Sequence, residues 1–203
     1  MTQPLTERGR KRYQALLDAA KEIFLEQGYA RTTLDMIIAR AGGSRRSLYE
    51  YFGDKAGLFS AVITAHSRNM VTQIQALDVE QLDAREGLTL LGRTFVDSLI
   101  SPVNLGLYRL LIAEGLTFPG LGEAIYRNGP QLLVEQLDDF LLSLKAAGKL
   151  PHRAITPYTA RQFLGMVKGD FHICALLTPE QMPGPQAIDE HITACVDFFL
   201  NDR

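Results

Sequence analysis

The sequence predicts an all-α protein: an N-terminal three-helix helix-turn-helix head followed by a larger helical body. Three observations carry this. Apolar residues recur at three- and four-residue steps along most of the chain, the spacing of one helix face. Runs of alternating polarity are too short to define a strand. Glycine, proline and hydroxyl residues punctuate the periodic stretches where helices start and stop.

The first helix is expected over Glu7 to Gln27, with Tyr13, Leu16, Leu17, Ala20, Ile23 and Phe24 on its apolar face. Gly28 follows in the position where helices favour glycine. Thr32 and Thr33 offer capping hydroxyls to a short helix, Leu34 to Ala41. Gly42-Gly43 makes a turn, and Ser44 caps a second short helix, Arg45 to Tyr51. Gly53 breaks that helix, and Asp54 caps a long one running from Lys55 to about Leu77. Beyond it the periodicity predicts helices over Arg85 to Ile100 and, after Ser101-Pro102, over Val103 to about Leu116. Pro119-Gly120 opens a segment that Gly129-Pro130 is expected to interrupt, and Pro130 to Ala147 follows, ending at Gly148. Lys149 to Thr156 is a loop and Tyr158 to Leu177 a single, strongly apolar helix. The cluster Pro183-Gly184-Pro185 precedes the last helix, Ile188 to Leu200.

With 203 residues and 46% hydrophobic content, the chain is of ordinary globular composition. Cys174 and Cys195 are too few for a disulfide framework and sit in apolar patterns, so buried reduced thiols are expected. Apolar runs stop short of the ~18 residues a membrane span requires. A cytoplasmic protein with no membrane partner is therefore expected. Charge is uneven. Residues 1–55 carry ten Lys/Arg against seven Asp/Glu, a net of +3, and residues 56–203 carry eleven against sixteen, a net of −5. A basic head can approach phosphates while an acidic body stays clear of them.

The chemistry concentrates in Thr32 to Phe52, two short helices joined by a tight glycine turn. In a helix-turn-helix the second helix enters the major groove by its first residues. Ile37, Ile38 and Ala41 on one helix and Leu48 and Phe52 on the other are spaced to face inward, leaving Arg45, Arg46, Ser47, Tyr49 and Tyr51 outward. Arginine can bond guanine O6 and N7 with two parallel bonds, or grip a phosphate. The hydroxyls of Thr33, Ser44, Ser47, Tyr49 and Tyr51 can donate to phosphate oxygens. Lys55 lies in the first turn of a helix, where the dipole favours an anion. Arg8, Arg10, Lys11 and Arg12 form either a solvated arm or a minor-groove contact.

Residues 8–68 resemble the DNA-binding domain of the TetR family of bacterial regulators. The resemblance rests on Ala20 to Gly28, Thr32-Thr33, Ala41-Gly42, Ser44, Ser47-Leu48-Tyr49, Tyr51-Phe52 and Asp54-Lys55 to Leu58. It implies phosphate contacts for Thr33, Tyr49 and Lys55, and base contacts for Arg45, Arg46 and Ser47. Two residues depart from the pattern. Gly43 stands where the turn usually carries an apolar residue, and Ile38 where a small one is usual.

Residues 107–177 resemble the C-terminal region of the family's AefR-like branch, through Leu107 to Gly115, Phe118 to Gly122, Tyr126 to Pro130 and Arg161 to His172. The resemblance implies a helical effector-binding and dimerisation domain over 69–203. Its candidate effector contacts are Phe95, Tyr108, Glu114, Phe118, Tyr126, Phe163, Met166 and Asp170. Glu114 and Asp170 interrupt apolar helices, and a buried carboxylate needs a partner, so Asp170 is expected to pair with Lys168 or Arg161. A homodimer is expected on Tyr158–Leu177, through Phe163, Val167, Phe171 and Cys174, and on Ile188–Leu200, through Ile192, Cys195, Val196 and Phe199.

The expected function is a DNA-binding regulator, a homodimer on a double-stranded DNA operator, released by a small, mainly apolar effector. A switch by a protein partner is the alternative. No nucleophile elbow, phosphate loop or metal-ligand spacing is present, so no catalytic residue, metal or cofactor is expected.

Overall fold

In the computed structural model of the chain, residues 6–77, 82–114, 117–118, 120–150 and 154–201 are described. All regular structure among them is helical. The helices are α1 (Glu7–Arg31), α2 (Leu34–Ala41), α3 (Arg45–Phe52), α4 (Lys55–Gln75), α5 (Ala84–Leu99), α6 (Pro102–Glu114), α7 (Leu121–Tyr126), α8 (Leu132–Ala146), α9 (Thr159–Lys168), α10 (Phe171–Leu177) and α11 (Pro185–Asn201). They form two compact units. The first holds residues 1–67 and 106–125, the second 68–105 and 126–203.

In the first unit, local chemistry sets the helix ends. Thr6 caps α1, Thr33 caps α2 by accepting from the Met36 N–H at 3.3 Å, and Ser44 caps α3 by accepting from the Ser47 N–H at 3.2 Å. Helix α1 loses regular geometry at Gly28, as expected, and a further turn reaches Arg31. Gly42 ends α2 with φ of 68°, which side-chain-bearing residues seldom adopt. At the start of α4 the Asp54 carboxylate accepts from the Gly57 N–H at 2.7 Å. A Cβ on Gly57 would lie 2.0 Å from the Phe52 carbonyl oxygen, so only glycine lets α4 begin this close to the end of α3. The core joins Leu16, Ile23, Phe24, Ile37, Leu48, Leu58 and Phe59 with Leu107 and Leu121 from the 106–125 segment.

The second unit packs α5 against α9 and α11, and α9 against α8 and α11. Two glycines allow close approach: Gly87 faces the Phe140 ring, and Gly92 lies between Ile192 and Val167. Arg93 pairs with Asp97 at 2.8 Å and with Asp189, and Arg85 with Asp197, tying α5 to α11.

Three expectations need correction here. Gly129-Pro130 does not interrupt the chain: Arg127–Gln131 forms a widened π turn leading directly into α8. Proline has no N–H to donate and its ring crowds the carbonyl of the preceding turn, and a locally widened turn is where a helix accommodates such a residue. Tyr158–Leu177 is not one helix. Gly169, with φ of 49°, ends α9, and a Cβ there would lie 3.3 Å from the His191 ring nitrogen. Asp170, at this break, is exposed rather than buried, so solvent stabilises its charge without an ion pair. Finally, most residues expected at a dimer face lie in the unit's own core. Phe163, Val167, Phe171, Ile192, Val196 and Phe199 are all buried. The outward residues of these helices are instead Ile173, Leu177 and Phe198, which are 52%, 73% and 66% exposed. Both cysteines are half-buried, and burial pushes the Cys195 thiol above its ordinary pKa.

Candidate nucleic-acid interface

The α2–turn–α3 segment is anchored from beneath by Ile37 and Leu48, both fully buried, and by Phe52. Ile38 and Ala41 are half-buried beside them. Because α3 spans only Arg45–Phe52, these inward residues fix its rotation and leave the other side to solvent.

That outer side carries Arg45, Arg46 and Tyr49. The two arginine side chains are 69% and 86% exposed. Neither is loose. The Arg45 Nε and Nη2 donate to the two carboxylate oxygens of Asp35 at 2.9 and 2.6 Å. The Arg46 Nε donates to Glu50, one turn along the same helix, at 2.7 Å. This bond holds the Arg46 guanidinium above its ordinary pKa. Tyr49 is exposed, and Thr33, Ser44 and Ser47 lie at or beside helix N-termini. Unpaired backbone N–H groups gather at such termini, so hydroxyls and amides there can bind phosphate together.

Two expected contacts sit differently. Tyr51 is half-buried, its ring 5.7 Å edge-on from Tyr13. Lys55 turns back over the end of α1. Its ammonium donates to the carbonyls of Tyr29 and Thr32, both at 2.9 Å, and of Ala30 at 3.4 Å. It also lies 4.3 Å from the Tyr29 ring centre. An ammonium has three donors, so a phosphate contact requires Lys55 to release a carbonyl.

Asp35 and Glu50 escaped sequence reasoning. The four-residue spacing of Arg46 and Glu50 could have revealed one pair. The ten-residue separation of Asp35 and Arg45 carries no such signal, because only the turn brings them together.

The residues expected at an effector divide between the units. Tyr108, Glu114 and Phe118 belong to the first, where Phe118 packs 5.0 Å edge-on against Tyr29. Phe95, Tyr126, Phe163, Met166 and Asp170 belong to the second. There a cavity of about 240 Å³ opens among α4, α5, α8 and α9. Phe95 and Phe163 line it with Ile74, Leu91, Leu133, Leu137, Phe140 and Leu164, and Gln75, Gln136, Asp139 and Ser143 add polar groups. Tyr126, Met166 and Asp170 are not in its wall. Among the described residues, no cluster of side chains could hold a metal ion, and no single helix is long and apolar enough to cross a membrane.

Comparison with known proteins bears on both units. Residues 16–62 match the model of the bacterial regulatory proteins of the tetR family, and residues 86–202 that of the AefR-like transcriptional repressor C-terminal domain. The chain is 35% identical over 82 residues to the HTH-type transcriptional activator FasR of Mycolicibacterium smegmatis, covering 40% of this chain but only 37% of that protein's length. The fold superposes on a protein of Mesorhizobium loti MAFF303099 assigned to the TetR-family transcriptional regulators. The TM-score is 0.86 and the identity 26%, over 96% of this chain and 98% of that one. It also superposes on the flavonoid-responsive regulator FrrA with a TM-score of 0.76 and 30% identity, over 95% and 96% of the two chains.

Proposed function

The chain belongs to the TetR family of bacterial transcriptional regulators, with an AefR-like C-terminal domain, and on that footing we propose that it is a repressor released from its operator by a small, mainly apolar molecule. The observation that carries the DNA-binding reading is α3 itself. It is capped by Ser44, anchored by Leu48 and Phe52, and presents Arg45, Arg46 and Tyr49 to solvent. Its first turn can enter a major groove, where the arginines meet base edges. Thr33, Ser44, Ser47 and Tyr49 then meet the flanking phosphates. DNA binding is assigned to residues 8–68, effector binding and dimerisation to 69–203.

The effector occupies the cavity of the second unit. A cavity of about 150 Å³ holds benzene, so about 240 Å³ suits a molecule of one to two rings. The phenyl rings of Phe95, Phe140 and Phe163 supply apolar contact, and Gln136, Asp139 and Ser143 orient polar substituents. The flavonoid response in FrrA's name agrees with an aromatic effector. Release requires that the effector bind the DNA-free state more tightly than the DNA-bound one. An apolar cavity favours this reading over a switch worked by a protein partner. The exposed Ile173, Leu177 and Phe198 on α10 and α11 form the homodimer face, and a two-fold pair matches a two-fold operator.

The test begins with duplexes enriched from a random-sequence pool by the protein. Small aromatic compounds are then screened for a rise in melting temperature, and those that stabilise are added to the DNA complex. A stabilising compound is expected to weaken DNA binding by about tenfold or more. Leu91→Phe, which fills the cavity, is expected to keep DNA binding and lose the response. Compounds that bind without altering DNA affinity, or a full response in Leu91→Phe, would remove the effector from this cavity.

A further inference from the structure

Arg45 and Arg46 are neighbours on one helix, yet they are held in different ways. Arg46 makes one bond, to a carboxylate on its own helix. Arg45 is fixed at both ends: its Cα belongs to α3, and its guanidinium is clasped by Asp35 at the second position of α2. The relative placement of these helices is set by the buried Ile37 and Leu48 beneath them. The Asp35–Arg45 pair is exposed, and most exposed ion pairs order little. Two parallel bonds in the fork geometry are the exception.

The clasp also selects an edge. Asp35 takes the Nε–H and one Nη2–H of Arg45. The second Nη2 hydrogen and one Nη1 hydrogen point off the end of the planar group, away from the carboxylate, and the other Nη1 hydrogen points back toward Cδ. The end-on edge thus carries two parallel donors, which match O6 and N7 of guanine. The carboxylate also cancels most of the guanidinium charge, which would otherwise draw the side chain to any phosphate.

We propose that Asp35 is a positioning residue for sequence readout: it holds Arg45 side-on so that the end-on edge meets a guanine, and it withholds that charge from the DNA backbone. This rests on the reading of α3 as the groove helix. A negative charge near DNA lowers affinity for every sequence, and in return the bound geometry of Arg45 exists before DNA arrives.

The experiment measures sequence preference across a random-sequence pool, and affinity for an enriched duplex and a scrambled one at several salt concentrations. The proteins are wild type, Asp35→Asn, Arg45→Gln and the double variant. Asp35→Asn is expected to relax the base preference at the half-site position that Arg45→Gln erases. It should lower the enriched-to-scrambled affinity ratio by about fivefold. Affinity for the scrambled duplex should rise, with the salt slope steeper by about 0.9 per phosphate newly met by Arg45. In the Arg45→Gln background, Asp35→Asn should leave the preference profile unchanged, since its effect runs through that arginine. Melting temperatures, and a second variant, Asp35→Ser, separate this from a folding effect. An Asp35→Asn profile identical to wild type, or equally changed with Arg45 absent, overturns the proposal. If Arg45→Gln itself keeps the wild-type profile, groove reading by this residue falls instead.

Discussion

The two units use the same secondary structure to opposite ends. In the first, Phe24, Tyr29, Phe59 and Phe118 pack ring against ring, with centres 5.0 to 5.8 Å apart, and the short helices are closed by side-chain caps. What α3 presents outside is charged or hydroxylic, through Arg45, Arg46 and Tyr49. In the second, long helices approach through glycine at Gly87 and Gly92 but leave a cavity walled by Phe95, Phe140 and Phe163. Its outer face keeps Ile173, Leu177 and Phe198 exposed. A tight core holds α3 in one orientation, and a core with unfilled space can be altered by what enters it.

Phenylalanine deletion tests the contrast most strongly. Phe24 and Phe163 are both fully buried. Phe24→Ala is expected to cost about 3–5 kcal/mol, and Phe163→Ala an amount at or below the low end of that range. The second side chain already borders open space, so it has fewer neighbours to lose. Denaturant titration of the two variants measures the difference. A larger loss in Phe163→Ala would break the distinction between tight and open cores.

Lys55→Met comes next. Removing an ammonium from three carbonyls at the end of α1 should destabilise the protein by about 1.5–3 kcal/mol. Unchanged melting together with a shallower salt slope in DNA binding would instead return Lys55 to a phosphate.

The smallest effects come from acid, and they differ in sign between the units. In the first, the hydrogen bond from Arg40 holds the Glu26 carboxyl below its ordinary pKa. Such a group adds stability above its unfolded pKa and loses it as pH falls through the folded one. In the second, burial raises the Asp138 carboxyl, against the Ala160 N–H and Arg161 that pull it down. Its contribution is present below the unfolded pKa and is lost as pH rises through the folded one. Glu26→Gln should therefore cost stability at about pH 7 and little at about pH 3. Asp138→Asn should gain at about pH 7 relative to about pH 3. Thermal melts across this range check both signs, and equal behaviour of the two variants would erase the contrast.

How much was legible in the sequence follows the same division. Helices α2 and α3 and their caps, Thr33 and Ser44, could be read because capping is local chemistry between residues three apart. In the second unit the spacing put Phe163 and Val167 on one apolar stripe and Ile192, Val196 and Phe199 on another, but a stripe does not say whether it meets its own unit or a second chain. Phe198 and Phe199 are adjacent and chemically identical, yet one is 66% exposed and the other fully buried. The packing of α11 against α5 and α9 makes the Phe199 stripe this unit's own core and leaves Phe198 outside. A glycine inside an apolar run carries no signal of its own, and the positive φ of Gly169 that divides α9 from α10 belongs to the folded backbone. The Asp35–Arg45 clasp and the turning back of Lys55 join residues ten and twenty-three or more apart, beyond any local pattern.

The central claim is that α3 reads DNA, and the Arg45→Ala, Arg46→Ala double variant tests it most directly. Both side chains are exposed, so circular dichroism should show the wild-type helical content. Affinity for duplexes enriched by the wild-type protein should fall by about 1–3 kcal/mol for each arginine that bonds a guanine, and discrimination against scrambled duplexes should fall with it. A folded double variant that still distinguishes enriched from scrambled DNA as well as wild type does would contradict the assignment of α3 as the reading helix.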